Sequence, residues 1–265
     1  MKKNFSSEFV YQVFALLVSV IVVHAVYVSI IRPNADAILV QQVAQQEAGK
    51  NFAPSRSLYV VLRDFEQETC FILMLWSMAI MAFKAHAARQ ERKLLERDMI
   101  QVREGTSILP EDARNYLRPV QALSEQEREY LLARVLLTAL QRFSSTRNIQ
   151  DVSSVVKEIS ESESDRLDSE LSMIRYITWA IPSIGFIGTV RGIGEALGQA
   201  HKAVQGDIAG VTASLGVAFN STFVALVISI IIMFLVHQLQ LTQERLVLDS
   251  HRYCDAKLIR YLQVR

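Results

Sequence analysis

The sequence predicts an all-α polytopic membrane protein with four transmembrane helices, both termini in the cytoplasm and a helical cytoplasmic region. Three observations carry this: long stretches hold no charged residue, the charges lie between those stretches, and apolar residues in the charged middle recur at helical spacing. Averages over the 265 residues conceal the pattern. With 51% hydrophobic residues, 21% charged, a net charge of +1 and a mean hydropathy of +0.21, the chain would pass for a soluble domain. The near-neutral balance excludes a generic nucleic-acid binder, which needs a basic surface to displace counterions from phosphates. Two cysteines, Cys70 and Cys254, make neither a disulfide framework nor a zinc-ligand spacing.

The first span covers residues 9–31, an uncharged run long enough to cross a hydrocarbon core of roughly 30 Å. Lys2 and Lys3 give it the positive start of a signal peptide, but the run is too long for an h-region and Tyr27, Val28 and Ile30 make a poor cleavage site. An uncleaved helix is expected. The last span, within 208–236, ends in the apolar block LVISIIIMFLV. Two runs of 15 residues, 69–83 and 176–190, are short for crossing alone, with a buried soluble helix as the competing reading. Lys84 and Arg175 can snorkel at their ends, and Trp76 and Trp179 suit an interface or a core.

Loop charge sets the orientation. Lys and Arg crowd the segment KAHAARQERKLLER after the second run and recur in the tail, whereas residues 32–68 hold four basic and five acidic residues. This divides the chain into residues 1–83, two spans with a periplasmic loop at 32–68; 84–170, a cytoplasmic helical region; 171–240, two further spans; and 241–265, a cytoplasmic C-terminal helix. In the cytoplasmic region Ser124 and Glu127 form a capping-box pattern ahead of Leu131, Leu132, Val135, Leu136, Ala139 and Leu140. Pro110 and Pro119 interrupt the pattern before it, and the Ser-rich acidic stretch 153–169 reads as a polar helix or connector. The region has no phosphate loop, no histidine pair at metal spacing and no hydrolase triad, so a packing or interaction role is expected and no enzyme activity. The piece SLYVVLRDFEQE before the second run reads as a short amphipathic helix on the periplasmic interface.

The third span is rich in small residues. Gly185, Gly188 and Gly192 share one face behind Pro182, and Gly188 with Gly192 forms a GxxxG pair suited to close helix packing. The last span carries Asn220, Ser221 and Thr222 at mid-membrane, where an unpaired polar group is expensive. Either an interhelical hydrogen bond or a conduction path explains them. Thr222 shares a face with Phe219, Ala225, Leu226 and Ser229, which makes it the candidate pore-lining residue, with Thr189 of the third span beside the glycine face. No span interior holds Asp, Glu or Lys, and His24 reads as a lone inward-packing residue. A conduction path would therefore need an acid from a partner. Arg191 and Glu195, at i and i+4, form an ion pair or a pore entrance.

The stretches GFIGTVRGI and LGVAFNSTFVAL resemble the MotA/TolQ/ExbB proton-channel family, over roughly residues 181–241, with the order of spans agreeing outside them. Thr189 matches the Thr of the family's GTV motif, and Thr222 the Thr of the final span that faces the partner's carboxylate. Val217 stands where ExbB-type members can carry Glu, and Asn220 where some motor proteins have Asp. The four-span layout is similar to MotA; the GTV signature is closer to TolQ and ExbB. The resemblance implies an inner-membrane, ion-driven motor or stator subunit, a homopentamer around a dimer of a MotB/TolR/ExbD-like single-span subunit with a membrane Asp, with Thr189, Thr222, Asn220 and Ser221 in the ion pathway. It implies no cofactor beyond the transported H⁺ or Na⁺, no metal, no nucleic acid, and membrane lipids as surroundings. A non-conducting scaffold that recruits proteins through its cytoplasmic helices is the alternative, and a secondary transporter is disfavoured because inverted repeats are lacking.

Overall fold

A computed structural model describes residues 2–47, 57–103, 106–205 and 208–264. Residues 48–56 of the 32–68 loop, Arg265 and the side chains of Lys2 and Lys3, on which the orientation partly rests, lie outside what it describes. The structure is 86% helical, and no strand occurs among the described residues. Four helical stretches are long and apolar enough to cross a membrane: Glu8–Gln42, Phe65–Leu95, Ile149–Gly198 and Ala209–Tyr261. The chain is therefore an all-α protein with four candidate spans.

The first stretch joins α1 (Lys2–Val26), a π-helical turn (Tyr27–Ile31) and α2 (Arg32–Glu47). The wide turn, closed by Arg32 N–H donating to Tyr27 O, comes directly before Pro33, which lacks an N–H and would crowd a regular helix there. A single turn, α3 (Leu58–Val61), is capped by Ser57, whose hydroxyl accepts from Tyr59 N. The 15-residue run 69–83 sits inside the longer α4 (Phe65–Leu95), and 176–190 inside α9 (Ser172–Gly198), so polar flanks supply the length that the apolar runs lack. Helix α11 (Ala209–Lys257) carries the last span and continues as the expected C-terminal helix.

Two compact units result: residues Met1–Met81 with Met173–Val236, and Ala82–Ser172 with His237–Arg265. In the first, Tyr11 Oη donates to Ala79 O at 3.2 Å and Trp76 Nε1 to Gln12 O at 2.9 Å, so Trp76 packs between helices while Trp179 is exposed. Helices α9 and α11 approach closely. Gly185, Gly188 and Gly192 face Ser214, Ala218, Ser221 and Ala225, all buried. A Cβ at Gly192 would lie 2.7 Å from both Ala218 N and Ser214 O, backbone atoms that cannot step aside.

The second unit contains α5 (Ala113–Gln121), α6 (Glu125–Arg128), α7 (Leu131–Thr146) and α8 (Ile149–Glu170). The capping box of Ser124 and Glu127 forms, on the one-turn α6, and the predicted apolar series opens α7 and is buried throughout. Pro119 is accommodated inside α5. Tyr253 Oη accepts from Met99 N at 2.8 Å, and Ile108 N donates to Tyr261 O at 2.7 Å, tying the chain's last turns to this core. Lys84 does not snorkel; it is buried and donates to Glu170 Oε2 at 2.8 Å. Glu163, buried on α8, is held by Arg166 at 2.5 Å and by Arg134. Burial works against its charge, but the two guanidinium groups outweigh burial and keep its carboxyl below the ordinary 4.5.

Two outcomes are expected. Gly192→Ala should lower the thermal stability of the solubilised chain by several degrees, whereas Gly194→Ala, whose Cβ meets nothing within 4 Å, should leave it unchanged or raise it. Glu163→Gln should cost about 1–3 kcal/mol near neutral pH in denaturant unfolding, a discounted figure because both arginines are partly exposed. The carboxylate contributes fully above its unfolded pKa and loses that contribution as pH falls through the lowered folded value, so the difference between the two proteins should shrink below about pH 4.5.

Candidate functional site

Close approach of α9 and α11 brings two hydroxyls together. Thr189 Oγ1 and Thr222 Oγ1 are in direct hydrogen-bond contact, both half-buried. Thr222 Oγ1 also lies 3.1 Å from Gly185 O; Thr189 Oγ1 lies 3.1 Å from Ala218 O and 3.3 Å from Gly185 O. Each hydroxyl has one proton and a choice of acceptors, so the pair supports more than one proton arrangement without moving a heavy atom. Gly185 is what makes its carbonyl reachable, since a side chain there would meet Ala225 Cβ at 2.5 Å.

Pro182 contributes through the hydrogen bond it cannot make. Without an N–H it leaves Thr178 O lacking its i+4 donor, and Ser229 Oγ of α11 donates to that carbonyl at 3.4 Å. Ser221 is fully buried, donates to Val217 O at 2.9 Å and accepts from Gln67 Nε2 at 3.3 Å. Ser221 thus joins α11 to α4. Asn220 is half-buried two positions before Thr222, and the structure does not bring it into the Thr189–Thr222 pair.

Arg191 and Glu195 pair at 3.2 Å as their spacing predicts, but the principal partner of Arg191 is Glu66, held bidentately at 2.8 and 2.9 Å, with Asp64 at 3.7 Å. The first turn of α4 was not singled out in the sequence. There Glu66, Gln67 and Glu68 lie against α9, α11 and α1. Gln67 is fully buried; Nε2 donates to Val61 O at 3.1 Å as well as to Ser221, which fixes the amide orientation and leaves Oε1 buried without a partner. Glu68 is buried between His24 Nδ1, 2.7 Å from Oε1, and Arg32 on Oε2. This corrects one expectation, since His24 is not a lone packing residue; SLYVVLRDFEQE forms the short α3 and then opens α4, as a short helix leading into the second span. The available signal was an acidic pair in a helix's first turn, which ordinarily means only complementarity to the helix dipole.

No group of three or more His, Cys, Asp or Glu among the described residues is arranged to hold a metal ion. What the arrangement offers is a half-buried hydroxyl pair on backbone carbonyls, with carboxylates and arginines at one end of the same helices. Such a site can order water, ligate a small cation or accept a hydrogen bond from a carboxyl group, and it has no nucleophile paired with a base.

No curated protein and no solved structure matches the chain. A family comparison does match: residues 127–251 fit the model of the MotA/TolQ/ExbB proton channel family. The match begins in α6, well before the motifs in 181–241, and it takes in α7, α8, α9 and most of α11 with Thr189, Thr222 and the glycine face. Residues 127–251 of this membrane protein, a little under half of the chain, thus match the MotA/TolQ/ExbB proton channel family.

Proposed function

We propose that the chain is the channel-forming subunit of an ion-driven motor in the bacterial inner membrane, with both termini in the cytoplasm. It assembles as a homopentamer around a dimer of a single-span, MotB/TolR/ExbD-like partner. The observation that carries this reading is the Thr189–Thr222 pair on Gly185 O and Ala218 O, in the stretch that matches a proton channel family.

The chemistry follows from what the spans lack. Lys84 aside, the charged side chains of α4, α9 and α11 lie toward helix ends, and Glu66, whose side chain reaches the Gly188 face, is held by Arg191, so the Thr189–Thr222 pair bonds to hydroxyls and carbonyls and to no carboxylate. Hydroxyls relay a proton but do not store one near neutral pH, and the partner's Asp is the storing group. When that Asp is ionised, Thr222 and Thr189 donate to it; when it is protonated, they turn back to Gly185 O and Ala218 O, to which they already bond in this structure. The change in partners alters how tightly the acid-bearing helix is held at one subunit, and passing that change around the ring converts proton flow into rotation. Ser221 supports the pathway from behind through its bond to Gln67, and Asn220 borders it.

Thr222→Val or Thr189→Val removes the hydroxyl at nearly constant volume. Each is expected to reduce proton-gradient-driven work of the complex by tenfold or more while subunit stoichiometry is unchanged, as measured by proton uptake in proteoliposomes and by mass of the solubilised complex. Full flux in either variant overturns the lining role. Flux that persists without sodium identifies the proton as the carried ion.

A further inference from the structure

Among the described residues, Glu68 is the carboxylate buried at a contact between α1 and α4. Its two oxygens are divided: Oε1 faces His24 Nδ1 at 2.7 Å, and Oε2 takes the Arg32 guanidinium. That division depends on the π-helical turn at Tyr27–Ile31. Residues 24 and 32 are eight apart, which in a regular α-helix puts them about 80° apart around the axis. The extra residue absorbed by the π turn makes the pair equivalent to seven apart, within about 20° of one another. The bulge therefore places both side chains on one carboxylate. Arg32 reaches back over the Phe65 ring at 4.4 Å and the Tyr27 ring at 5.8 Å, so its position is fixed by stacking as well as by charge.

Two acceptors do not approach to 2.7 Å without a proton between them, so His24 carries its proton on Nδ1 and donates to Glu68. In the neutral ring Nε2 then keeps a lone pair, on a side chain that is 58% exposed, while that of Glu68 is 7% exposed. Tyr27, from the π turn, also faces the carboxylate, and it adds no cation beyond Arg32. Arg32 alone already balances Glu68. His24 is thus free to change charge without leaving the buried carboxylate unpaired.

We propose that His24 and Glu68 form a proton-binding dyad at the end of the first two spans that carries the Arg191 cluster, with Arg32 as its fixed counter-charge. A proton from water adds to the Nε2 lone pair to give imidazolium and leaves by the same atom; no other bond changes. Glu68 orients the ring and stabilises the cation, so it is a positioning residue. On the orientation given under Proposed function, this is the periplasmic mouth, and the dyad accepts protons there on a chain whose interior has no acid of its own.

The test uses the full-length chain in lipid nanodiscs with ¹⁵N-labelled histidine. The neutral ring of His24 is expected as the Nδ1–H tautomer, with Nε2 alone the nitrogen that gains a proton reversibly on acidification. Glu68→Gln should lower the ratio of Nδ1–H to Nε2–H by about tenfold, the loss of one charge-assisted bond. An Nε2–H ring in the natural protein, or an unchanged ratio in Glu68→Gln, overturns the dyad. Should Glu68→Gln not fold, Arg32→Lys keeps the counter-charge: persistence of the Nδ1–H form supports the proposal and its loss overturns it. The tautomer readout needs no ion flow, so it fails or holds independently of Thr222→Val. In the partnered complex, His24→Gln should flatten the dependence of flux on external pH; an unaltered profile removes the dyad from the proton's route.

Discussion

The distance between α9 and α11 is the constraint on which the rest of the membrane unit depends. Helices in lipid gain nothing from hydrophobic exclusion, so association rests on packing and on hydrogen bonds between them. Gly185, Gly188 and Gly192 against Ser214, Ala218, Ser221 and Ala225 bring the two backbones close enough for side-chain hydroxyls of one helix to reach carbonyls of the other. The polar site is a product of that closeness. With ordinary side chains on the glycine face, Thr222 and Thr189 would be separated, and Gly185 O would be covered.

The same stretch shows how polar groups are distributed in an apolar setting. Neutral hydroxyls and backbone carbonyls occupy the span interior; the ionic groups Arg191, Glu66, Asp64, Arg32 and Glu68 cluster where α4 begins. Charges at a helix's first turn lie near the water-facing boundary and cost less than charges at mid-span.

Much of this was legible in the sequence. Hydropathy and charge located four spans, the capping box at Ser124 and the apolar series from Leu131 to Leu140 identified the core of the second unit, and the glycine spacing together with Thr189 and Thr222 marked the α9 and α11 faces that meet. The partners of His24 and Arg191 were not legible, because each pairs with a residue of α4 far along the chain, Glu68 and Glu66. Periodicity reports which face of a helix is apolar; it does not report which distant helix supplies the counter-charge. The π turn was equally hidden, since a single extra residue in one turn leaves no mark in composition. Pro33 was its nearest trace, and a proline following an apolar run ordinarily signals an end to the helix rather than a rephasing of it.

Pro182 has a mechanical consequence. By removing one donor from α9 it frees a carbonyl, Thr178 O, to which Ser229 of α11 donates, about two turns from the threonine pair. Sliding α9 along α11 by one residue would strand that oxygen and drive the glycine face into side chains at once. The two helices are keyed to each other like a splined shaft, so any movement of this part of the molecule carries them as a single rigid piece, with slack found at its other surfaces.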